Sequence, residues 1–479
     1  MSPDEFRRYG HQIVDWIADF LADPRQFPVL SPHPPGWLAR QLPGEAPVEG
    51  ESMDQILQDF ERLVLPHCTI WNHPRFFSYF AVSSSGPGIL AELLAAALNM
   101  NGMLWQSSPA VTELEQVTLG WLRQWLGLPD VFFGMIHDTA STSTFHAILA
   151  ARARAAPEAR SDGVPSNLVL YFSEQAHSSV EKAGLAAGLG RKNMRLVATD
   201  DRFAMKPESL LEAIRADRAA GLRPMCVVAT VGTTSTTAVD PVPAIAEICE
   251  REQIWLHVDG AYGGHMAVVP EYRHLLDGVA QADSFVVNPH KWLFTPIDLS
   301  AFYIRHPDAL REALCLVPAY LRSPSNADAV NFMEYTLPLG RRFRALKLWF
   351  VMRYFGQAKI ASLIRGHVEM AQRLAQTLQS DERFELCAPH PMSLVCFRLR
   401  GSNAQNEELL ERLNRSGAGF FSKTVLGGRT VLRWSIGNIH TCWEDLEAAL
   451  ATLRQIATEL ASGQDPQITL DSVYEPKTS

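Results

Sequence analysis

Residues 283–292 read D-S-F-V-V-N-P-H-K-W. Ser284, Phe285, Val286 and Val287 form a short apolar, β-favouring run, which Asn288 and Pro289 bring to an end. His290, Lys291 and Trp292 follow at once and lead into the apolar Leu293 and Phe294. A lysine at such a strand end has two readings. It can snorkel, with its stem on apolar surface and its ammonium in water. Alternatively its amine is partly desolvated, which disfavours the charged form and lowers the pKa. A neutral amine is what condensation with an aldehyde requires. The surroundings of this stretch along the chain decide between the two.

Outward from it, short apolar runs at 168–171, 195–197, 226–231 and 254–258 alternate with helical patterns at 208–216 and 243–251. This alternation predicts an α/β fold with a mainly parallel sheet. Ligands of such sheets sit at the carboxyl ends of the strands. Further helices are predicted at 89–98, 112–125 and 145–155. The chain opens with a capping-box pattern, Ser2-Pro3-Asp4-Glu5, and then Phe6, Tyr9, Ile13, Ile17 and Phe20 at helical spacing. A proline-rich connector leads to a second helix capped by Ser52 and Gln55. Two short amphipathic helices on a linker either pack on their own chain or lie across a second copy of it. Residues 1–83 are therefore read as a helical dimerisation arm, 84–345 as a large α/β domain and 346–479 as a small α+β domain. The segment after Tyr320, S-P-S-N-A-D-A at 323–329, is small and polar and reads as a mobile loop.

The composition narrows the function. A hydrophobic content of 47% and a charged content of 20% are those of a globular protein. The net charge of −9 argues against a nucleic-acid or anionic-membrane surface. No apolar run approaches the roughly 18 residues that a membrane span needs. The N-terminal M-S-P-D-E-F-R-R lacks the basic-then-apolar order of a signal peptide. The seven cysteines are scattered and never in C-x-x-C spacing, which predicts reduced thiols in a cytoplasm and no zinc site.

Three further stretches stand beside Lys291. H-V-D-G-A-Y-G-G at 257–264 closes a buried strand with Asp259, which needs a cationic partner or strong hydrogen bonds. A protonated pyridine nitrogen would be such a partner, and Gly260, Ala261 and Gly263 are read as room for a flat ring. D-T-A-S-T-S-T at 138–144 opens a helix whose amide groups and hydroxyls suit a phosphate; ordinary N-capping is the simpler alternative. His177, in Q-A-H-S-S at 175–179, could stack on a planar group or move a proton, although a lone histidine is often only structural. Thr233, Thr234 and Ser235 end another strand. Together these are the parts of a pyridoxal-phosphate site.

On N-P-H-K-W, H-V-D-x-A-Y-x-G, A-H-S-S-V, the P-L-G-R-R-F-R run at 338–344, and Ser108-Pro109-Ala110 with Glu113, the chain resembles the group II pyridoxal-phosphate decarboxylases, in particular the aromatic L-amino-acid decarboxylases. The resemblance implies a type I (aspartate aminotransferase-like) fold and an obligate homodimer with shared active sites. It implies a carboxy-lyase acting on an L-amino acid, a small-molecule substrate. Lys291 would hold the cofactor as a Schiff base, Asp259 would pair with the ring nitrogen, and His177 and Ala261 would flank the ring. Ala140, Ser141, Asn288 and His290 would hold the phosphate, with Thr234 near the ring. Tyr320 matches the tyrosine that protonates the product carbon. Trp71, Tyr79, Phe80 and Met103 would line the side-chain pocket, with Leu339 and Gly340 entering from the other subunit. Residues 81–82 are Ala-Val where animal relatives have Pro-Thr, and Asn101 and Met103 replace Ile and Phe. Gly340 lacks the serine of tyrosine-preferring plant members. Tryptophan, 5-hydroxytryptophan, Dopa or tyrosine is expected as substrate. Aldehyde synthesis, decarboxylation of a non-aromatic amino acid and a catalytically silent scaffold are the alternatives. Arg341, Arg342 and Arg344 are read as structural.

Overall fold

The computed structural model describes residues 1–316 and 329–462. Tyr320 and its loop, and the tail after residue 462, lie outside the described residues.

Seven strands build the main sheet: β1 (Phe133–His137), β2 (Leu168–Ser173), β3 (Met194–Val197), β4 (Arg223–Thr230), β5 (Trp255–Asp259), β6 (Ser284–Val287) and β7 (Ser300–Ile304). Their order is β1-β7-β6-β5-β4-β2-β3. The pairs from β3 to β6 are parallel, whereas β7 runs antiparallel to both β6 and β1. The mainly parallel sheet is thus as expected, and the antiparallel β7 was not foreseen. Side chains alternate strictly between the two faces, as the pleat demands. Leu168, Leu170, Phe172, Cys226, Val228 and Val286 pack with the helix Ala140–Ala155. Val169, Tyr171, Val227, Ala229, Leu256, Val258 and Phe285 pack on the opposite face, with Leu210 and Ile214 of the helix Pro207–Ala219 and Ile245 of Val242–Glu252. Burial on both faces explains why these strands read as continuous apolar runs.

A second, antiparallel sheet follows: β8 (Phe384–Leu386), β9 (Leu394–Leu399), β10 (Ser422–Leu426) and β11 (Arg429–Ser435), in the order β10-β11-β9-β8. Its own core gathers Val395, Phe397, Leu432 and Trp434 with the helices Asn403–Arg415 and Trp443–Ser462. The helix Arg344–Gln379 runs from the main sheet to this core, and only Gly356, at φ 66°, departs from helical geometry.

Both capping boxes form, Ser2 with Glu5 and Ser52 with Gln55. The two N-terminal helices touch through Tyr9 Oη, which donates to Asp54 Oδ2 at 2.8 Å, and through the Trp16 and Phe60 rings at 5.7 Å. The three arginines of the 341–344 run are all engaged by acids: Arg341 with Glu115, Arg342 with Glu92 and Arg344 with Asp298. Arg341 and Glu115 are both buried and meet at 2.6 Å, and Glu115 also accepts from the Ile136 amide at 2.8 Å. Removing one partner of a buried pair leaves the other charge uncompensated. Glu115→Ala is therefore expected to cost about 3–5 kcal/mol of stability, read from urea denaturation. A loss under about 1 kcal/mol would contradict a structural role for the pair.

Candidate active site

Five segments leave the carboxyl ends of strands that point the same way. Asp259 closes β5, and Asn288 to Lys291 follow β6. Residues 231–235 follow β4, His177 follows β2, and the helix Ala140–Ala155 starts just beyond β1. Because β5 and β6 pair in register, with Asp259 opposite Val286, the chain turns back to bring Lys291 toward the aspartate.

Burial holds the Lys291 amine below the ordinary lysine pKa, with the charge of Asp259 acting against that shift. Its Nζ lies 5.4 Å from the centre of the Phe80 ring. Phe80 stacks on Tyr262 at 3.8 Å, and Tyr262 stacks on Trp292 at 4.5 Å, so an aromatic column backs the lysine. Trp292 is anchored in turn by Nε1, which donates to His367 Nδ1 at 2.9 Å. Lys291 therefore sits in an apolar wall, and the desolvated reading of the sequence prevails over snorkelling.

Asp259 is 5% exposed, and its Oδ1 accepts from the Ala261 amide at 3.0 Å. His177 lies within electrostatic reach of both Asp259 and Lys291, and burial lowers its pKa below the usual histidine value. The Ser179 amide donates to His177 Nδ1 at 3.2 Å, which leaves Nε2 to carry the proton. Ser179 Oγ contacts the same nitrogen at 2.8 Å. Ser179 was not singled out from the sequence; its place at the start of the helix Ser179–Ala186, just past His177, was the available signal.

The helix Ala140–Ala155 begins with Ala140 buried and Ser141 exposed, capped by Thr139 Oγ1, which accepts from the Thr142 amide. Asp138 turns its carboxylate to the Thr139 amide at 2.8 Å. His290 is 4% exposed; its Nδ1 accepts from the Leu299 amide at 3.0 Å, and burial drives its pKa down to about 3. Its Nε2–H is thus a neutral donor. Asn288 is buried, and its Oδ1 has no hydrogen-bond partner among the described residues. An orphaned buried polar atom calls for a ligand or water. That oxygen is an acceptor and cannot itself donate to a phosphate; the helix start and the neutral His290 Nε2–H are the donors that fit one, with Asp259 placed for a pyridine nitrogen.

One reading needs correction. A Cβ on Gly260 would meet Phe285 at 2.5 Å, and one on Gly263 would meet the Val231 carbonyl at 2.4 Å. These glycines let the turn pack against its own sheet; their vacant side does not face a ring.

The predicted pocket residues fall into two groups. Trp71 and Tyr79 stack at 5.6 Å, edged by Phe420 at 6.0 Å from Tyr79. Met103, Leu339 and Gly340 gather elsewhere: the Met333 amide donates to Met103 O, and only Asn101 comes within 4 Å of a Cβ built on Gly340. Among the described residues no hydrogen bond or ring contact joins this second group to Lys291. Thr234 is half-buried, and its carbonyl accepts from Arg433 at 2.6 Å.

The fold and the strand-end site define a pyridoxal-phosphate-dependent enzyme. The model of the pyridoxal-dependent decarboxylase conserved domain matches residues 35–400, and the chain belongs to that family. It is 41% identical to the bovine aromatic-L-amino-acid decarboxylase, over 95% of this chain and 97% of that one. It is also 41% identical to a phenylacetaldehyde synthase of Arabidopsis thaliana, over 91% of this chain and 92% of that one. The crystal structure of Catharanthus roseus tryptophan decarboxylase in complex with L-tryptophan superposes with a TM-score of 0.91 at 37% identity, covering 96% of this chain and 99% of the other. This protein is a pyridoxal-phosphate-dependent amino-acid decarboxylase.

Burial lowers the pKa of His177, so it gains its proton below the ordinary histidine value. NMR titration of the apoprotein, with His177→Gln to assign the signal, should show protonation below about pH 6.5. A midpoint at or above that value would contradict the burial.

Proposed function

We propose that this chain removes the carboxylate of an aromatic L-amino acid as carbon dioxide and releases the corresponding amine. The observation that carries the reading is a Lys291 amine desolvated beside Asp259 at paired strand ends and resting on Phe80, whose chain neighbour Tyr79 stacks with Trp71 in a half-exposed pair. Bound there, pyridoxal phosphate supplies an electron-withdrawing ring that accepts the electron pair left when carbon dioxide departs.

The residues of the chain divide the remaining work. Burial disfavours the ammonium of Lys291 and so favours the free amine that would attack. Asp259 would hold a proton on the ring nitrogen, and Ala261 and His177 would flank the ring. Ser179 fixes the tautomer of His177, so that Nε2–H faces the site. Ala140, Ser141, Asn288 and His290 would hold the phosphate, with Thr234 near the ring. Tyr320 delivers the proton to Cα. Trp71 and Tyr79 present aromatic faces to the substrate ring, with Phe80 behind Lys291. Met103, Leu339 and Gly340 complete the pocket of a second subunit.

A homodimer is supported by apolar side chains left uncovered on the single chain: Phe6 and Val14 on the first helix, and Leu90, Leu93, Leu94 and Leu98 on the helix Gly86–Leu98. The arm, large domain and small domain divide at about 83 and 345. All seven cysteines are free, which favours the cytoplasm. No helix among the described residues is long and apolar enough to cross a membrane. An aromatic substrate is favoured because Arg341, Arg342 and Arg344 are committed to acids and do not await a side-chain carboxylate. A Cβ at Gly340 would meet only Asn101 Nδ2, at 3.9 Å, which leaves room for an indole.

The deciding experiment is amine detection after incubation of the holoenzyme with tryptophan, 5-hydroxytryptophan, Dopa, tyrosine and the other common amino acids. Amine from one or more aromatic substrates is expected. Amine from glutamate or another non-aromatic acid alone would overturn the substrate reading. In the same assay Tyr320→Phe should divert product toward aldehyde, ammonia and peroxide, with dioxygen as oxidant. A variant that yields only amine would remove Tyr320 from the protonation step.

A further inference from the structure

Arg433, on β11, is 3% exposed, and no carboxylate lies within ion-pair distance of it among the described residues. A buried cation without an anion is unfavourable unless its donors are satisfied. Here they are satisfied almost wholly by backbone of the active-site loops. Nη2 donates to Thr234 O at 2.6 Å and to Tyr79 O at 3.3 Å, Nε donates to Ser235 O at 3.1 Å, and Nη1 donates to Ser422 Oγ at 2.8 Å. Ser422, the first residue of β10, in turn accepts from the Tyr79 amide at 3.3 Å.

Both backbone groups of Tyr79 are therefore held by one arginine–serine pair. Tyr79 needs holding, since its φ of 49° is left-handed, a region unfavourable for a residue with a Cβ. Its ring forms half of the aromatic stack with Trp71. The same guanidinium stands 5.5 Å from the centre of the Phe80 ring, against which Lys291 also rests. Thr424 Oγ1 and Cys396 Sγ donate to Ser235 as well, so the loop after β4 is tied at several points to the second sheet.

We propose that Arg433 and Ser422 are positioning residues: from the C-terminal sheet they clamp the strained Tyr79 backbone and the Thr234–Ser235 loop, and so set the aromatic wall that selects the substrate. This rests on the aromatic-decarboxylase reading above. Neither residue needs to touch the substrate. The arginine is used for its rigid fork, which a lysine cannot reproduce.

The test is steady-state kinetics on the holoenzyme with its preferred aromatic substrate. Ser422→Ala removes the acceptor shared by the Tyr79 amide and Arg433 Nη1 and should raise KM at least about fivefold, the worth of one hydrogen bond, with a smaller change in kcat. Arg433→Lys keeps the charge, loses the fork and should raise KM further. In both variants cofactor content, read by absorbance, should stay at the wild-type level. Because Ser422 acts through Tyr79, Tyr79→Ala should erase the effect of Ser422→Ala in a double-mutant cycle. An unchanged KM in Ser422→Ala, or additive effects of Ser422→Ala and Tyr79→Ala, would overturn the clamp. Should Arg433→Lys fail to fold, the serine cycle still decides. Absence of amine from any aromatic substrate with the wild type would instead sink the functional reading on which the clamp rests.

Discussion

The desolvation of one amine is the constraint that the rest of this site answers to. The apolar column of Phe80, Tyr262 and Trp292 behind Lys291 takes its amine out of water and so disfavours the ammonium. That column stands only because β6 ends at Val287 and a short turn through Asn288 and Pro289 presents Trp292 to the core. Asp259 is brought opposite by the parallel pairing of β5 and β6. A carboxylate beside the amine would by itself favour the ammonium, so the balance rests on burial outweighing that attraction. In the proposed reading the aspartate would pair with another cation, the pyridinium of the cofactor.

The sheet edge extends this logic to the other groups. His177, the start of the helix Ala140–Ala155, Asn288 and His290 all follow strands of one direction, so a single ligand can reach them together. The C-terminal sheet contributes through Arg433 and Ser422, which grip loops of the other sheet by their backbone. Loop geometry near the substrate is thereby coupled to a separate hydrophobic core.

Much of this was legible in the sequence, for physical reasons that differ by element. The run 284–287 came out at its true bounds because burial on both faces makes it a continuous apolar stretch. β1 escaped because Gly134 interrupts it and it is paired on one side only. β10 escaped because its partly exposed S-K-T-V-L pattern is weakly apolar. Lys291, Asp259 and His177 were readable as residue types placed at strand ends. Gly260 and Gly263 were misread because a sequence does not say which atoms fill the space of a missing Cβ. Ser179 and Arg433 were invisible for another reason. They act through backbone groups, and the partners of Arg433 lie far away in the chain.

The central claim is that Lys291 is the amine that carries the cofactor. Borohydride reduction of the holoenzyme, followed by peptide mass spectrometry, tests it most directly. The account predicts a pyridoxyl mass on the peptide containing Lys291 and none on Lys291→Ala. A label on another lysine, or an undiminished label in the variant, would contradict it.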